Sequence, residues 1–517
     1  LVRQVIRHRF LDPDASADVI GQKLRQAGLE ISTRSVERVI AAYGLQKKLY
    51  QCRPRGQSEA EIETQRTRRY TRKKPCDPAS IERGVRQLLA DKVQGNLTGL
   101  WLLAAEHLRL GTWDLLCGWS GRPAEQIEPR LALQLVHEAA ICTSGFRSDR
   151  SLTQGGAFEL ANGLPFLASD TAIHDLLAGH TVDDAVRLQV ALGKLRRASG
   201  HFRGKLLAID PHRVQSYSKR RMRLHAKKKS KKPTKMAQMF WALDADTHQP
   251  ICFTTATASR TVAQATPQLL DIASSILDPQ PGQTLVMADA EHFNAELADD
   301  VHRRTGFDLL VPMPNQAAIT KRVKAIPAEQ FTRRWAGYAT AKLPYEMKRG
   351  ETGPFHQFVQ RSGERPEDWS FKAFLSTTDR DEVDALTLDF PKRWHVEEFF
   401  NANQSLGWKR AGTTNLNIRY GQMTMALVAQ AVIQQLRDRL GEPVSGWDAD
   451  HLAKDFFRGL DGDVRVGNDT IIVTYYNAPN ESRLREHYEN LPDKLSQENI
   501  DPHLPWLYNF KLDFRFR

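Results

Sequence analysis

Residues 206–210 read LLAID and residues 285–289 read LVMAD, so twice a short apolar run stops at an aspartate. An uninterrupted apolar run of that length, too short for a buried helix, is the pattern of a strand covered on both faces. A strand is rigid and its end opens to solvent, so Asp210 and Asp289 stand where a carboxylate can be held still and yet meet a ligand. A lone aspartate in that setting is otherwise a turn former or helix cap, so the surrounding succession has to decide. After Asp210, residues 236–243 and 251–258 read as strands joined by a polar turn at 244–249. A helix follows over Val262–Leu277, then the strand 285–288, a helix over 294–304 and a strand over 309–311. Three antiparallel strands followed by helix–strand–helix–strand predict a mixed α/β sheet with the two aspartates on its first and fourth strands.

That element order is the order of the ribonuclease H fold. Residues 312–375 are rich in turn residues and strand-like pieces, which predicts a β-rich insertion before the core resumes at 383–388. Beyond it lies FPKRWHVEEFFNANQSLGWKR, residues 390–410. At roughly 100° per residue, Phe390, Arg393, Glu397 and Gln404 fall within about 60° of one another on a helix. Val396, Phe399 and Phe400 form the adjoining apolar face, and Glu398 points away from the polar stripe. Glu397 is therefore the candidate third carboxylate, the alternative being a plain Arg393–Glu397 ion pair one helical turn apart. Pro391 is expected to open the helix. Three carboxylates of this kind suit two-metal phosphodiester chemistry, and magnesium suits such a site because it prefers hard oxygen ligands.

The segment resembles the Y-x2-R-x3-E-x6-K signature of bacterial cut-and-paste insertion-sequence transposases, in which a β-stranded insertion separates the second aspartate from the glutamate. Arg393, Trp394, Glu397, Phe399 and Phe400 match its context. Asp289 follows Asp210 by 79 residues and Glu397 follows Asp289 by 108, which leaves room for the insertion. The resemblance spans roughly residues 200–440. It implies a DDE transposase that uses two Mg2+ ions, with Mn2+ substituting, at Asp210, Asp289 and Glu397. It also implies double-stranded DNA as partner (terminal inverted repeats and target), a homodimer in the synaptic complex, and a cytoplasmic, nucleoid-associated setting. Phe390 stands where the family has Tyr and Gln404 where it has Lys. These side chains, with Arg393, steady the DNA phosphate near the break in that family. Phe donates no hydrogen bond and Gln brings no charge, so the family's hairpin-forming route does not follow for this chain.

The rest of the sequence is consistent with a DNA partner. Lys and Arg number 73 against 61 Asp and Glu, a net charge of +12, with 41% hydrophobic and 26% charged residues. That balance suits a soluble protein with a polyanionic partner. The five cysteines (Cys52, Cys76, Cys117, Cys142 and Cys252) are scattered, odd in number and without a C-x-x-C, which argues against both a disulfide framework and a zinc site and for a reducing cytoplasm. No apolar stretch is long enough to span a bilayer, and no signal peptide is evident.

Residues 1–50 predict a helix-turn-helix, with Val36, Val39, Ile40 and Tyr43 as the buried stripe of its second helix and Ser32 as its cap. Arg34 and Arg38 then face outward toward a major groove; a helical hairpin that merely packs on the rest is the alternative. A basic linker over 51–77 and a helical domain over 78–200 come next. The core is expected over 201–311 and 381–440, around the insertion at 312–380, with an appended region at 441–517 that contains a hairpin about Gly467–Asn468–Asp469. Between the first two core strands lies a dense basic run that includes Lys219, Arg220, Arg221, Arg223, Lys227, Lys228 and Lys229, placed for phosphate neutralisation or, without a ligand, a solvated loop. Trp335 and Trp369 are expected as strand core, with stacking on an extruded base as the alternative. His212 and His292 are expected as ordinary histidines. Two other functions fit the same sequence: a DNA-binding regulator descended from such an enzyme, and a metal-dependent nuclease that cuts without joining.

Overall fold

The LLAID run lies at the middle of a sheet. The computed structural model describes residues 5, 16–26, 29–42, 78–120, 127–143, 162–163, 170–216, 224–225, 233–257, 260–408, 413 and 415–517. Its packing separates two units: one of Leu1–Leu188, Ser216–Met222 and Ala402–Arg517, the other of Gln189–Gln215 and Arg223–Asn401.

The second unit contains β1 (Leu206–Gln215), β2 (Thr234–Asp244), β3 (Gln249–Thr257), helix α1 (Val262–Leu277), β4 (Thr284–Met287), α2 (Ala295–Arg304) and β5 (Phe307–Pro312). β2 is antiparallel to β1 and β3, whereas β4 is parallel to β1 and to β5. The order β3-β2-β1-β4-β5, with three antiparallel strands followed by two parallel ones, is the ribonuclease H-like core expected from the sequence. Leu207, Ala208 and Ile209 are fully buried, as are Leu285, Val286 and Met287, because central strands are covered on both faces. α1 begins with a capping box: the Thr261 hydroxyl accepts from the Gln264 amide at 3.3 Å and the Gln264 carboxamide accepts from the Thr261 amide at 3.0 Å.

Then come α3 (Ala317–Lys324), β6 (Thr332–Trp335), β7 (Tyr338–Tyr345), β8 (Phe355–Ser362), β9 (Ser370–Ser376) and α4 (His395–Asn403). β6 to β9 form an antiparallel meander, and β9 pairs with β5 at Phe374↔Pro312, Leu375↔Val311 and Ser376↔Leu310. The inserted strands therefore extend the core sheet. Before α4 the chain widens to a π turn over Ala385–Asp389 and tightens to a 3-10 turn over Phe390–Trp394. Pro391 accounts for the irregularity, since it lacks the amide hydrogen that would continue a regular helix and its ring crowds the preceding turn. The regular helix thus starts at His395, four residues later than Pro391 suggested.

In the first unit, helices Ala17–Gln26 and Thr33–Ala42 share a small core of Val5, Ile20, Leu24, Ile31, Val36 and Ile40. The Ser32 hydroxyl accepts from the Ser35 amide at 3.2 Å and caps the second helix. Tyr43 lies outside the described residues. Helix Leu416–Leu440, grouped with the catalytic core on sequence, packs instead on helices Leu100–Leu110, Ile127–Ala140 and Asp170–Gly179 of this unit. Its sides are buried nearly all round, which a helix resting on a single sheet face would not need. The C-terminal hairpin pairs Gly462–Gly467 with Thr470–Tyr475, and Asn468 takes the left-handed conformation its turn requires, at φ 54°. Val93–Gly95 adds an edge strand to the same sheet, so the segment after 440 shares a core with residues near 93.

Candidate active site

β1 and β4 run parallel, and their last paired residues are Ala208 and Met287. Asp210 and Asp289 each lie two residues beyond that pair, Asp210 still on β1 and Asp289 at the cap of the turn that follows β4. β1 does not stop at Asp210: it runs to Gln215, paired with β2 throughout, and Asp210 faces Trp241 across the ladder. The sheet opens only on the β4 side, where β4 ends and its partner leaves the edge of β1 uncovered. Asp210 is thus an interior residue of the β1–β2 ladder and lies just past the end of the β1–β4 ladder.

The third acid arrives on α4. The Arg393 guanidinium lies 3.4 Å from an Asp210 carboxylate oxygen and 3.8 Å from a Glu397 oxygen, so one cation bridges two of the acids. α4 is seated by its apolar face. Val396, Phe399 and Phe400 are buried, and Phe400 meets the His212 ring at a centroid distance of 4.2 Å. His212 is therefore a packing residue, as expected.

The acids differ in electrostatic character. Burial pushes the Asp210 carboxyl up to about 7, the Asp289 and Glu397 charges push the same way, and Arg393 and Arg213 oppose them. For Asp289 burial also acts upward, but it is outweighed by the His292 hydrogen bond and charge, the Glu291 amide and Arg393, and the group is held below the usual carboxylate range. Two carboxylates side by side with divided proton affinities are the mark of a concentrated negative site.

His292, expected from the sequence as an ordinary histidine, is placed against an acid. It is buried, with Nδ1 2.8 Å from Asp289 Oδ1, and the same oxygen accepts from the Glu291 amide at 3.0 Å. Asp289 is thus the cap of the turn Ala290–His292 and is held in one orientation. The available signal was the acid–x–x–His spacing of a capped turn. Arg213, on β1, completes the frame by donating to Gln238 at 3.0 Å and to both Glu291 oxygens.

Helical φ/ψ ends at Asn403, whose angles are −127° and 0°, so the 100° spacing is not carried on to Gln404. Phe390 packs edge-on against Phe374 at 4.8 Å, a contact that a residue inside the 3-10 turn reaches and one on a regular helix would not. Arg34 and Arg38 are exposed on helix Thr33–Ala42. Lys219, Arg220, Arg221, Arg223, Lys227, Lys228 and Lys229 lie outside the described residues.

Trp335 and Trp369, expected mainly as strand core, line a surface cleft with Arg333, Tyr338 and Arg361. Trp335 is 49% exposed and stacks on Tyr338 at 4.3 Å with the rings 6° from parallel, while the Arg361 guanidinium lies 3.8 Å from the centroid of the Trp369 ring. β6 is an exposed edge strand, which is why alternation did not bury Trp335. No described helix is long and apolar enough to cross a membrane.

Residues 201–431 match the model of the transposase DDE domain family. No curated protein matches the chain. Among solved structures the chain is similar to a piggyBac transposase in a synaptic complex with hairpin DNA, at 14% identity and a TM-score of 0.39, over 69% of this chain and 79% of that one.

Proposed function

We propose that this protein, whose residues 201–431 match the transposase DDE domain family, binds the ends of a mobile DNA segment and cuts and rejoins DNA with divalent ions held by Asp210, Asp289 and Glu397. The observation that carries the reading is that Asp210 and Asp289 each follow the last paired residues of two neighbouring parallel strands by two positions, with Glu397 linked to Asp210 through Arg393. The donor set fits Mg2+ or Mn2+, since all three ligands are hard carboxylate oxygens. Burial and neighbouring negative charge raise the proton affinity of Asp210, so the metal-free cluster lacks positive charge even with Arg393 in place. When bound, such ions polarise the scissile phosphate and lower the proton affinity of an attacking water or 3′-hydroxyl.

The protein's own groups divide the remaining work. His292 and the Glu291 amide hold Asp289 ionised and oriented. Asp210 gives up its proton as the site takes up cations. Glu397 is the most exposed of the three at 39% and lies on a helix instead of the sheet, which leaves it on the side open to DNA. Arg393 stands between Asp210 and Glu397 and is placed to meet a phosphate oxygen as well. Arg34 and Arg38 would read or grip duplex DNA, the basic run at 219–229 would neutralise its backbone, and the Trp335–Tyr338 stack would accept an unpaired base. A homodimer would bring two ends together.

The test is a cleavage and strand-transfer assay with Mg2+ or Mn2+ on DNA carrying the element's own terminal sequences. Asp210→Asn, Asp289→Asn and Glu397→Gln should each bind DNA and fall to background in both steps. Glu329→Gln, on an exposed turn, should behave as wild type. Full activity in any of the three acid variants would remove that residue from the assignment. Cleavage without joining by the wild type would favour the nuclease, and neither step in any divalent ion would favour the regulator.

A further inference from the structure

A second group of ligand-type side chains lies where the β2–β3 turn meets the start of α4. His248 occupies that turn in the left-handed conformation, φ 57°, and is exposed. His395 is the first residue of α4, and Glu398 follows at i+3, on the same helix face. One nitrogen or oxygen from each of the three lies within 4.8 Å of the other two. The imidazole rings of His248 and His395 overlap at a centroid distance of 3.9 Å.

The hydrogen bonding around the group favours a ligand. His395 Nδ1 donates to the Ala245 carbonyl at 2.6 Å, because that oxygen can only accept. The bond sets the tautomer and leaves Nε2 with its lone pair, the arrangement found in metal-ligating histidines. Of the turn's carboxylates, Asp246 is taken up by Lys392 at 2.8 Å and Asp244 accepts from the Arg203 and Gly204 amides, so Glu398 supplies the acid of the cluster. His248 Nδ1 and Glu398 Oε2 stand 3.9 Å apart, too far for a hydrogen bond, so the two converge without bonding each other.

We propose that His248, His395 and Glu398 bind a borderline transition-metal ion, Zn2+ by preference, with water in the remaining position. Two imidazoles and one carboxylate suit Zn2+ and not Mg2+, so this site is chemically distinct from the three carboxylates. Tetrahedral zinc places its ligand atoms ~3.3 Å apart, a closure within reach of exposed side chains on a turn and a helix start. The bound ion would pin α4 to the β2–β3 turn, one residue from Glu397. That positional consequence rests on the proposed function; the binding itself does not.

The experiment uses the full chain carrying Asp210→Asn and Asp289→Asn, which removes the hard-ligand site, stripped with EDTA and offered ZnCl2. After gel filtration, metal analysis should find about one Zn2+ per chain, and Co2+ should give the visible absorption of a tetrahedral site. His248→Asn, which retains the left-handed turn, and Glu398→Gln should each lower retained zinc at least ~10-fold and abolish the Co2+ band. Zinc retention unchanged in both variants, or no zinc retained by the parent, would overturn the proposal. Because no DNA or cleavage enters the measurement, failure here leaves the three-carboxylate reading untouched.

Discussion

At the scale of single residues, Asp210 sets how the site responds to pH. Its proton affinity in the folded, metal-free protein is raised to about 7, against the ordinary value of 3.8. Between those values the folded state binds more protons than the unfolded one, so this group's contribution makes metal-free stability fall as pH rises. Asp210→Asn removes that penalty and should raise the Tm of the metal-free protein at pH 8 while removing the stabilisation by Mg2+. A lower Tm for Asp210→Asn at pH 8 would contradict the assignment of its environment. Bound cations compete with the same proton, so the affinity for Mg2+ should climb with pH up to about 7 and then level. Arg393 opposes the rise in Asp210, so Arg393→Ala should shift the acid limb of that affinity profile to higher pH. An acid limb that stays put or moves down, in Mg2+ binding measured from pH 5.5 to 8.5, would count against that role.

At the scale of elements, α4 is held by a few apolar side chains and carries a catalytic candidate on its open side. Phe400 is buried against His212 and also approaches Trp241 at 6.2 Å. Phe400→Ala should cost about 3–5 kcal/mol and slow cleavage more than it weakens DNA binding, because the helix loses its seat while no DNA-contacting group is removed. Thermal unfolding and single-turnover rates check the two halves of that statement. The matching positions of Asp210 and Asp289, each two residues past the last β1–β4 pair, follow from that register, since moving either strand by one residue would offset one acid from the other. Only the helix-borne third acid is free to shift, which fits the π and 3-10 turns that precede it.

At the scale of the whole molecule, the unit formed by the N-terminal region and residues 402–517 is joined through a buried charge. Glu106 is fully buried; it accepts from Arg109 at 2.8 Å, Arg439 at 3.1 Å and the Tyr488 hydroxyl at 2.7 Å. These partners come from three distant stretches of chain. Removing the carboxylate takes this acceptor from Arg439 and the Tyr488 hydroxyl, while Arg109 keeps Glu498 at 2.9 Å, so Glu106→Ala should destabilise this unit by about 3 kcal/mol. Thermal unfolding followed through probes in each unit should show that transition shifted and the other in place. DNA binding belongs to the same scale. Replacing Lys227, Lys228 and Lys229 with Ala should reduce the slope of log K against log salt by about 2.7, and an unchanged slope would remove that run from the interface.

Much of the core was legible in local pattern. The apolar runs that lead to the acids and the Asn468 turn are set by neighbours in sequence, so one chain suffices to read them, whereas β1 continues to Gln215, past the apolar run that marks it. Glu397 was legible because helical periodicity links it to Arg393 and Phe400 over less than two turns. The same periodicity failed at Gln404, where the helix had already ended, and at Phe390, where Pro391 had altered the winding. Other features depended on distant partners. The exposure of Trp335 follows from β6 being an edge strand, and the bond from His292 to Asp289 needs a buried turn. Helix Leu416–Leu440 packs with helices far away in sequence. The sequence by itself determined which segments become strands and helices and where the acids fall on them, because those choices rest on backbone propensity and side-chain period. Only the tertiary structure decided which strands are neighbours, and hence that Asp210 and Asp289 lie just past the same β1–β4 ladder while His248, His395 and Glu398 converge. Register and proximity between remote segments arise from packing, which no local pattern encodes.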